Sequence, residues 1–354
     1  MNIDDLLRIA MERRASDLHL KVGNYPHLRI DGDLVPLTDQ PRVSAEDMMT
    51  MSFSMMSARQ KQKFKETTEI DMAYGVAGLG RFRVNVFQQR GNVGLVLRVI
   101  PTKIRALDEL FLPKVVEQIC DMPRGLVLVA GVTGSGKSTT LAAMVDRINS
   151  TRAEHIITIE DPIEFLHNHK CSTIHQRELH SDTPSFAYAL RSALRQAPKV
   201  ILVGEMRDRE TIEIVLEAAE TGHLVLSSLN TMDAPKTVER IVSSFAPDEQ
   251  QKVRERFARS FRYIVCQRLL PKTDRSGRVP VAEILKANPR TRECVEKGDR
   301  EGKTLLDAMK AGATEGMQHF DGEIAQLVRN RVVDLETGVS FASNPTVLGQ
   351  ELAR

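Results

Sequence analysis

The chain has 354 residues, 42% of them hydrophobic and 27% charged, which suits a globular protein of about two domains. Its net charge of +2 gives no strong basic footprint of the kind that nucleic-acid binders carry, although it is compatible with local basic patches. The sequence has no apolar run of about 18 residues for a membrane span and no CxxC pair. We expect that its first residues are not a signal peptide, because acids come early and no long apolar core follows, and that its thiols are reduced in a cytosolic protein.

The first hundred residues predict a small α+β domain with an antiparallel sheet. Apolar residues at helical spacing predict an amphipathic helix over residues 3–11. Alternating apolar residues, with turn residues such as Asp31-Gly32, predict short antiparallel strands over residues 15–37. Residues 44–66 are interpreted as one helix that a capping box opens at Ser44.

A hairpin is predicted over residues 80–100, with its turn at Gly91-Asn92. Apolar and polar residues alternate along it, which places Arg83 and Arg98 on strands of the sheet. From sequence alone, one interpretation is that these arginines belong to a solvated face of the sheet. Residues 101–112 are interpreted as a connector, so the domains are predicted to be 1–100 and 113–354.

The pattern changes in the second domain, where apolar runs are continuous instead of alternating. Such runs separated by helical stretches predict a parallel sheet covered by helices on both faces. The predicted strands are 126–130, 156–159, 200–203 and 224–226. The last quarter, from about residue 247, is predicted to be mostly helical.

The segment GVTGSGKST, residues 131–139, matches the phosphate-loop pattern between a predicted strand and a predicted helix. Glycines let backbone N–H groups turn towards phosphate, and the helix amino terminus favours the same anion. Lys137 is expected to reach the β- and γ-phosphates, and the Ser138 hydroxyl to bind Mg²⁺. A glycine-rich turn without a ligand is the competing interpretation. The predicted nucleotide-binding residues are Gly131, Thr133, Gly134, Ser135, Gly136, Lys137, Ser138 and Thr139.

An ATPase also needs a carboxylate at the end of a second buried strand, and VILVGEMRD at 200–208 supplies Glu205. Gly204 occupies the position where an aspartate is usual, so Glu205 is predicted to be the general base for the attacking water. The alternative is a carboxylate that only starts a helix. A further acidic segment, TIEDPIE at 158–164, is interpreted in one of two ways. Its carboxylates either replace the acid that the ATPase site lacks at Gly204, or they belong to a solvated acidic turn.

Four motifs together resemble the secretion ATPases of type II secretion and type IV pilus systems. They are GVTGSGKS at 131–138, TIEDPIEF at 158–165, LRQAPKVILVGEMRDRET at 194–211 and AAETGHLVLSSLNT at 218–231. In this family they are the Walker A motif, Asp box, Walker B motif and His box. The resemblance implies a PAS-like amino-terminal α+β domain followed by a RecA-like ATPase domain with a helical carboxy-terminal part.

Within the family, the chain looks most like the pilus retraction motors. That resemblance implies a homohexameric ATPase, cytoplasmic and peripheral at the inner membrane, that acts on a membrane platform protein and drives twitching motility. It also implies that Glu164 assists at the water or the Mg²⁺, and that His223 senses the γ-phosphate. Arg83 and Arg98 are similar to arginines that reach nucleotide in the same or a neighbouring subunit. Without the family resemblance, His223 would be interpreted as a structural residue that forms hydrogen bonds.

Two departures from the family pattern leave alternatives open. Asn230 stands where the His box usually has a second histidine, and asparagine cannot titrate near neutral pH. Residues 287–299 have lost the usual carboxy-terminal motif of retraction motors. A divergent or accessory paralogue that modulates another motor ATPase is therefore one alternative. A RecA-type nucleic-acid motor is another, which the near-neutral charge disfavours, so no nucleic-acid partner is expected.

Overall fold

The computed structural model describes residues 1–30, 32–101, 103–300 and 303–353. Contacts divide the chain into two compact units. The first is Met1–Lys103 with Glu164–Leu166, and the second is Ile104–Ile163 with the described chain from His167 onward. Asp31, in one predicted turn, and Thr102, in the predicted connector, lie outside the described residues.

The first unit contains a six-stranded antiparallel sheet with the strand order β3-β2-β1-β6-β5-β4. Its strands are β1 Asp17–Lys21, β2 His27–Ile30, β3 Asp33–Pro36, β4 Glu69–Val76, β5 Gly80–Gln89 and β6 Asn92–Ile100. Its helices are α1 Ile3–Glu12, α2 Ala45–Ser54 and α3 Ala58–Thr67. The predicted α+β class of this region is therefore confirmed.

The alternation of side chains along β5 explains why the sheet has one apolar face and one polar face. Phe82, Val84 and Val86 are fully buried in the core of the first unit, because alternate residues of a strand point to the same face. The hairpin turn lies at Arg90-Gly91, one residue earlier than predicted. Both residues have positive φ, 48° and 78°, as a two-residue hairpin turn of this hand requires.

The prediction of one helix over residues 44–66 was wrong. The predicted start at Ser44 is confirmed, since its hydroxyl accepts a hydrogen bond from a first-turn N–H. However, Ser57 begins a separate helix with its own capping box to Gln60. A serine that caps the backbone offers an alternative to continuing the preceding helix. The helix is therefore interrupted at residues 55–57.

The second unit contains a seven-stranded sheet with the strand order β13-β12-β7-β11-β10-β8-β9. Its strands are β7 Gly125–Ala130, β8 His155–Glu160, β9 Thr173–Glu178, β10 Val200–Val203, β11 Leu224–Leu229, β12 Phe261–Pro271 and β13 Arg278–Lys286. Its helices are α4 Val115–Cys120, α5 Lys137–Thr151, α6 Phe186–Ala193, α7 Arg209–Glu220, α8 Ala234–Val242, α9 Gln250–Ser260, α10 Pro289–Lys297, α11 Leu305–Ala311, α12 Phe320–Arg329, α13 Leu335–Phe341 and α14 Pro345–Leu352.

Helices cover both faces of this sheet, as the continuous apolar runs predicted. Alternate residues of β7 pack into two different cores. One core lies against α4 and α5, and the other lies against α6 to α9. All six β7 residues are consequently buried, which is the pattern of a parallel strand between two helical layers.

The last quarter of the chain is largely helical, but it also contributes two strands that the sequence interpretation missed. β12 pairs in parallel with β7, and β13 returns antiparallel to β12. β12 carries arginines and a glutamine among its apolar residues, so its sequence resembles a continuation of α9. Within the part of the chain that the structure describes, no helix is long and apolar enough to cross a membrane.

Candidate nucleotide-binding site

The segment 131–136 links the carboxyl end of β7 to the start of α5 at Lys137. Gly136 occupies the N-cap position in a left-handed conformation, with φ 94°. Among the described residues, no side chain caps this helix end. The first-turn N–H groups of a 15-residue helix are thus available to an anion, together with the positive end of the helix dipole.

Glycine is required at two positions of the loop for different reasons. Gly131 has φ 150°, and a Cβ there would lie 2.4 Å from Ser135 Oγ and 2.6 Å from the Gln267 carbonyl oxygen. Gly134 has φ 80°, and in the described part of the chain no atom lies within 4 Å of a Cβ placed there. Gly131 therefore permits close packing under the loop, whereas Gly134 permits a backbone turn that L-residues rarely adopt.

Lys137 lies over the loop that precedes it. Its Nζ donates hydrogen bonds to the carbonyl oxygens of Gly131, at 2.7 Å, and Val132, at 3.0 Å. An ammonium group held within the curve of the loop is positioned to contact phosphate oxygens. Ser138 and Thr139 follow on the first turn of α5, half-buried, and Thr133 is exposed at the top of the loop.

Gln267 is a residue of this region that the sequence interpretation missed, because β12 was not predicted. It follows Cys266, which pairs with Ala130 at the end of β7. Its side chain is 2% exposed, and among the described residues its Oε1 has no hydrogen-bond partner. Ser135 Oγ is also buried and, within the same part of the chain, without a partner. Two unsatisfied polar atoms thus belong to the loop and the strand beside it.

The acidic residues lie at the same carboxyl edge of the sheet. Val203 of β10 pairs with Ile159 of β8, so the residues that follow these two strands are neighbours. A Cβ on Gly204 would lie 3.4 Å from the Glu160 Cα and from the Ile159 carbonyl oxygen. Glycine at this position therefore lets the β8 and β10 ends lie close together, and Glu205 is the first carboxylate beyond β10.

Arg207 connects the two acidic segments, and the sequence interpretation did not single it out. Its Nε donates to Glu205 Oε2 at 2.7 Å, and its Nη1 lies 3.4 Å from Asp161 Oδ2. These contacts raise the pKa of Arg207, chiefly through the hydrogen bond to Glu205. The negative charges of Glu205 and Asp161 are thus balanced at this edge by an arginine that follows β10.

The remaining carboxylates of the Asp box divide between the two units. Glu160 Oε1 accepts hydrogen bonds from Thr158 Oγ1, at 2.6 Å, and Gln176 Nε2, at 3.2 Å, both within the second unit. Glu164 is exposed and belongs to the first unit. Glu160 therefore lies at the carboxyl edge of the second unit's sheet, as Glu205 does, whereas Glu164 belongs to the first unit.

Arg83 and Arg98 lie directly opposite each other on β5 and β6 of the first unit. Arg83 pairs with Asp71 at 3.1 Å, and Arg98 pairs with Asp17 at 2.9 Å. Burial favours a higher pKa for Asp17, but hydrogen bonds from Ser16 and Arg98 outweigh it, so its pKa is lowered. Both arginines are thus ion-paired on the polar face of the sheet.

His223 and Asn230 lie at opposite ends of β11. His223 accepts a backbone hydrogen bond from Gly125 at the amino end of β7, and its Nδ1 is 2.9 Å from the Ala218 carbonyl oxygen. Asn230 follows Leu229, whose carbonyl oxygen accepts from the Gly131 N–H. A strand of this length separates the two residues by about 20 Å. The structure therefore brings Asn230, and not His223, to the phosphate-loop edge of the same chain.

A family model described as type II/IV secretion system protein matches residues 1–330. The chain belongs to this family. It is 43% identical over 347 residues to the type IV pilus retraction ATPase PilT of Pseudomonas aeruginosa, covering 98% of this chain and 99% of that protein. It is also 39% identical over 344 residues to the type IV pilus ATPase PilU of the same organism, covering 97% and 89%.

Solved structures give the same assignment. A crystal structure of the pilus retraction motor PilT with bound ADP matches with a TM-score of 0.91 at 42% identity, covering 99% of both chains. The Legionella pneumophila ATPase DotB matches with a TM-score of 0.83 at 28% identity, covering 95% of this chain and 93% of that one. The α/β fold predicted from the sequence is confirmed by these likenesses.

Proposed function

We propose that this chain is an ATP-hydrolysing motor that powers type IV pilus retraction and hence twitching motility. The observation that carries the proposal is the uncapped phosphate loop with Glu205 at the same sheet edge. It occurs in a chain that aligns over nearly its whole length with a pilus retraction ATPase. ATP and water are the substrates, ADP and phosphate are the products, and the free energy of hydrolysis drives retraction.

The residues of the phosphate loop and of the two acidic segments divide the chemistry of hydrolysis among them. The α5 amino terminus, Gly131 to Gly136 and Lys137 bind the phosphates, because they present N–H groups and an ammonium to the same space. The Ser138 hydroxyl suits Mg²⁺, a hard cation that takes oxygen ligands and neutralises charge on the phosphates. Glu205 takes the proton of the attacking water as general base, and Glu164 assists at the water or the metal.

Arg83 and Arg98 would complete the site from a first unit, of the same or a neighbouring subunit. Both are ion-paired to aspartates in this structure. Each arginine must therefore leave its aspartate before it can pair with a phosphate of the nucleotide. An arginine supplied to the transferring phosphate raises the rate by about 10³–10⁵ in other nucleotide hydrolases. The homohexameric ring is proposed from the family resemblance, and arginines supplied by a neighbouring subunit would make each site depend on that ring.

The ring is proposed to work in the cytoplasm, peripheral at the inner membrane, against a platform protein of the pilus machine. Nucleotide binding and hydrolysis would rotate the amino-terminal domain of one subunit against the ATPase domain of another subunit. This rotation would deform the ring and let pilin leave the fibre. His223 lies at the sheet edge away from the phosphate loop of its own chain. Any γ-phosphate response of His223 would therefore be indirect or would concern a neighbouring subunit.

A second candidate function is that of an accessory motor that modulates a paralogous ATPase. Asn230 favours it, because this neutral side chain lies beside the phosphate loop where family members usually have a histidine. The match to PilU, at 39% identity over 97% of the chain, is also compatible with it. Tight nucleotide binding with no turnover would select this candidate.

The enzymatic part of the proposal is tested by measuring ATP hydrolysis against protein concentration, with particle mass followed by light scattering. A ring with shared sites should show specific activity that rises as subunits assemble. A monomer whose specific activity is independent of concentration would contradict the ring. Glu205→Gln serves as the matched control, because it keeps the size of the side chain and one acceptor oxygen while removing its charge.

A further inference from the structure

The ion pairs of Arg207 join the ends of two neighbouring strands. Glu205 follows β10 and Asp161 follows β8, and Arg207 contacts both carboxylates. The contact to Glu205 is short, 2.7 Å, and uses Oε2. Oε1 of the same carboxylate is therefore the oxygen that can take a proton from water.

The exposure of these groups argues against a role limited to stability. The side chain of Arg207 is 57% exposed, and those of Glu205 and Asp161 are 30% and 29% exposed. Ion pairs as exposed as these contribute little to folding, because water and salt screen them. The carboxylate of Glu205, in contrast, must be held in one orientation to act as a base, and an error of about 1 Å in such a group can cost about 10²-fold in rate.

Charge balance also favours a functional role for Arg207. Glu160, Asp161 and Glu205 crowd the end of the sheet that receives a polyanionic nucleotide, and like charges disfavour each other's ionised state. Glu160 accepts hydrogen bonds from two neutral side chains, those of Thr158 and Gln176. Arg207 supplies positive charge to the two remaining carboxylates.

We propose that Arg207 is a positioning residue for ATP hydrolysis, which orients Glu205 through Oε2 and ties it to the Asp box through Asp161. The proposal rests on the proposed function, in which Glu205 is the general base. Nucleotide binding depends on the phosphate loop and not on this contact. Loss of Arg207 should therefore lower kcat while KM and nucleotide affinity stay close to the wild-type values.

The test compares Arg207→Gln with Arg207→Lys and with the control Arg209→Gln. Arg209 forms an equally short ion pair, 2.7 Å, and is similarly exposed, but its partner is Glu249 and not a carboxylate that follows β8 or β10. Arg207→Gln is expected to reduce kcat by about 10- to 100-fold. Arg207→Lys should restore part of kcat, because a lysine supplies the charge but not the two-sided fork. Arg209→Gln should retain the wild-type kcat.

The outcomes separate this inference from the function on which it rests. Wild-type kcat in Arg207→Gln, or no recovery in Arg207→Lys, would overturn the positioning role alone. No hydrolysis by the assembled wild-type protein would overturn both proposals. If Arg207→Gln has a lower melting temperature than Arg209→Gln, the variant Asp161→Asn separates a loss of positioning from a loss of stability. It leaves the contact between Arg207 and Glu205 intact, and it should give a smaller loss of kcat at unchanged KM. Full activity of Asp161→Asn would contradict the link to the Asp box.

Discussion

The substitution Gly131→Ala tests the packing under the phosphate loop. The added methyl group would meet Ser135 Oγ at 2.4 Å and the Gln267 carbonyl oxygen at 2.6 Å. Ser135 can change its rotamer, but the Gln267 carbonyl belongs to the backbone of β12 and cannot move without displacing the strand. We therefore expect the loop to be pushed away from β12 and nucleotide binding to be lost.

The size of the effect follows from two contributions. Overpacking of this kind costs about 1–3 kcal/mol, and alanine at a positive φ costs about 1 kcal/mol. Gly131→Ala should thus destabilise the protein by about 2–4 kcal/mol. Gly134 lies in the same loop at φ 80°, but no atom of the described residues lies within 4 Å of its added Cβ, so Gly134→Ala should cost only about 1 kcal/mol.

Differential scanning calorimetry of the nucleotide-free variants measures this difference directly. For a unit of this size, 1 kcal/mol corresponds to about 2–4 °C in melting temperature, so Gly131→Ala should melt about 2–12 °C below Gly134→Ala. Equal melting temperatures, or wild-type ATP affinity in Gly131→Ala, would refute the packing that the structure gives to the loop.

Three further predictions concern charged and polar groups. Lys137→Ala should abolish binding of a fluorescent nucleotide, whereas Glu205→Gln should bind it and lose hydrolysis; a wild-type rate for Glu205→Gln would show that another group is the base. Burial raises the pKa of Glu283 from 4.5 to about 7. Because the fold disfavours its charged form, urea denaturation should show stability falling between about pH 4.5 and 7 relative to Glu283→Gln, and parallel profiles would contradict this. Asn230→His should raise kcat if the missing imidazole limits turnover, and an unchanged kcat would show that it does not.

Local features were predictable from the sequence. The phosphate loop lies within nine consecutive residues, and its geometry depends on glycines and on the strand and helix that flank it. The buried parallel strands were predictable because both of their faces are apolar. β12 was missed because its polar residues break that pattern, and with it Gln267, whose position beside the loop comes from pairing with a strand about 135 residues earlier.

Relationships between distant segments were harder to predict. The contact of Arg207 with Asp161 depends on the backbone beyond two strands, which no local pattern specifies. The ends of β11 are a different case. Carboxyl ends of parallel strands share one edge, so the residue after the strand, Asn230, and not the residue before it, His223, had to face the phosphate loop. The family motif predicts a phosphate-sensing role for His223, whereas the direction of the strand predicts that Asn230 lies at the phosphate-loop edge.

We propose that hydrolysis at this site drives pilus retraction. A count of surface pili by electron microscopy tests this directly, in cells that lack the gene and carry either no replacement, the wild-type chain or Glu205→Gln. We expect excess pili and no twitching motility without the gene or with Glu205→Gln, and normal numbers with the wild-type chain. Cells without pili would indicate extension instead, and unchanged pili would contradict a role as the main retraction motor.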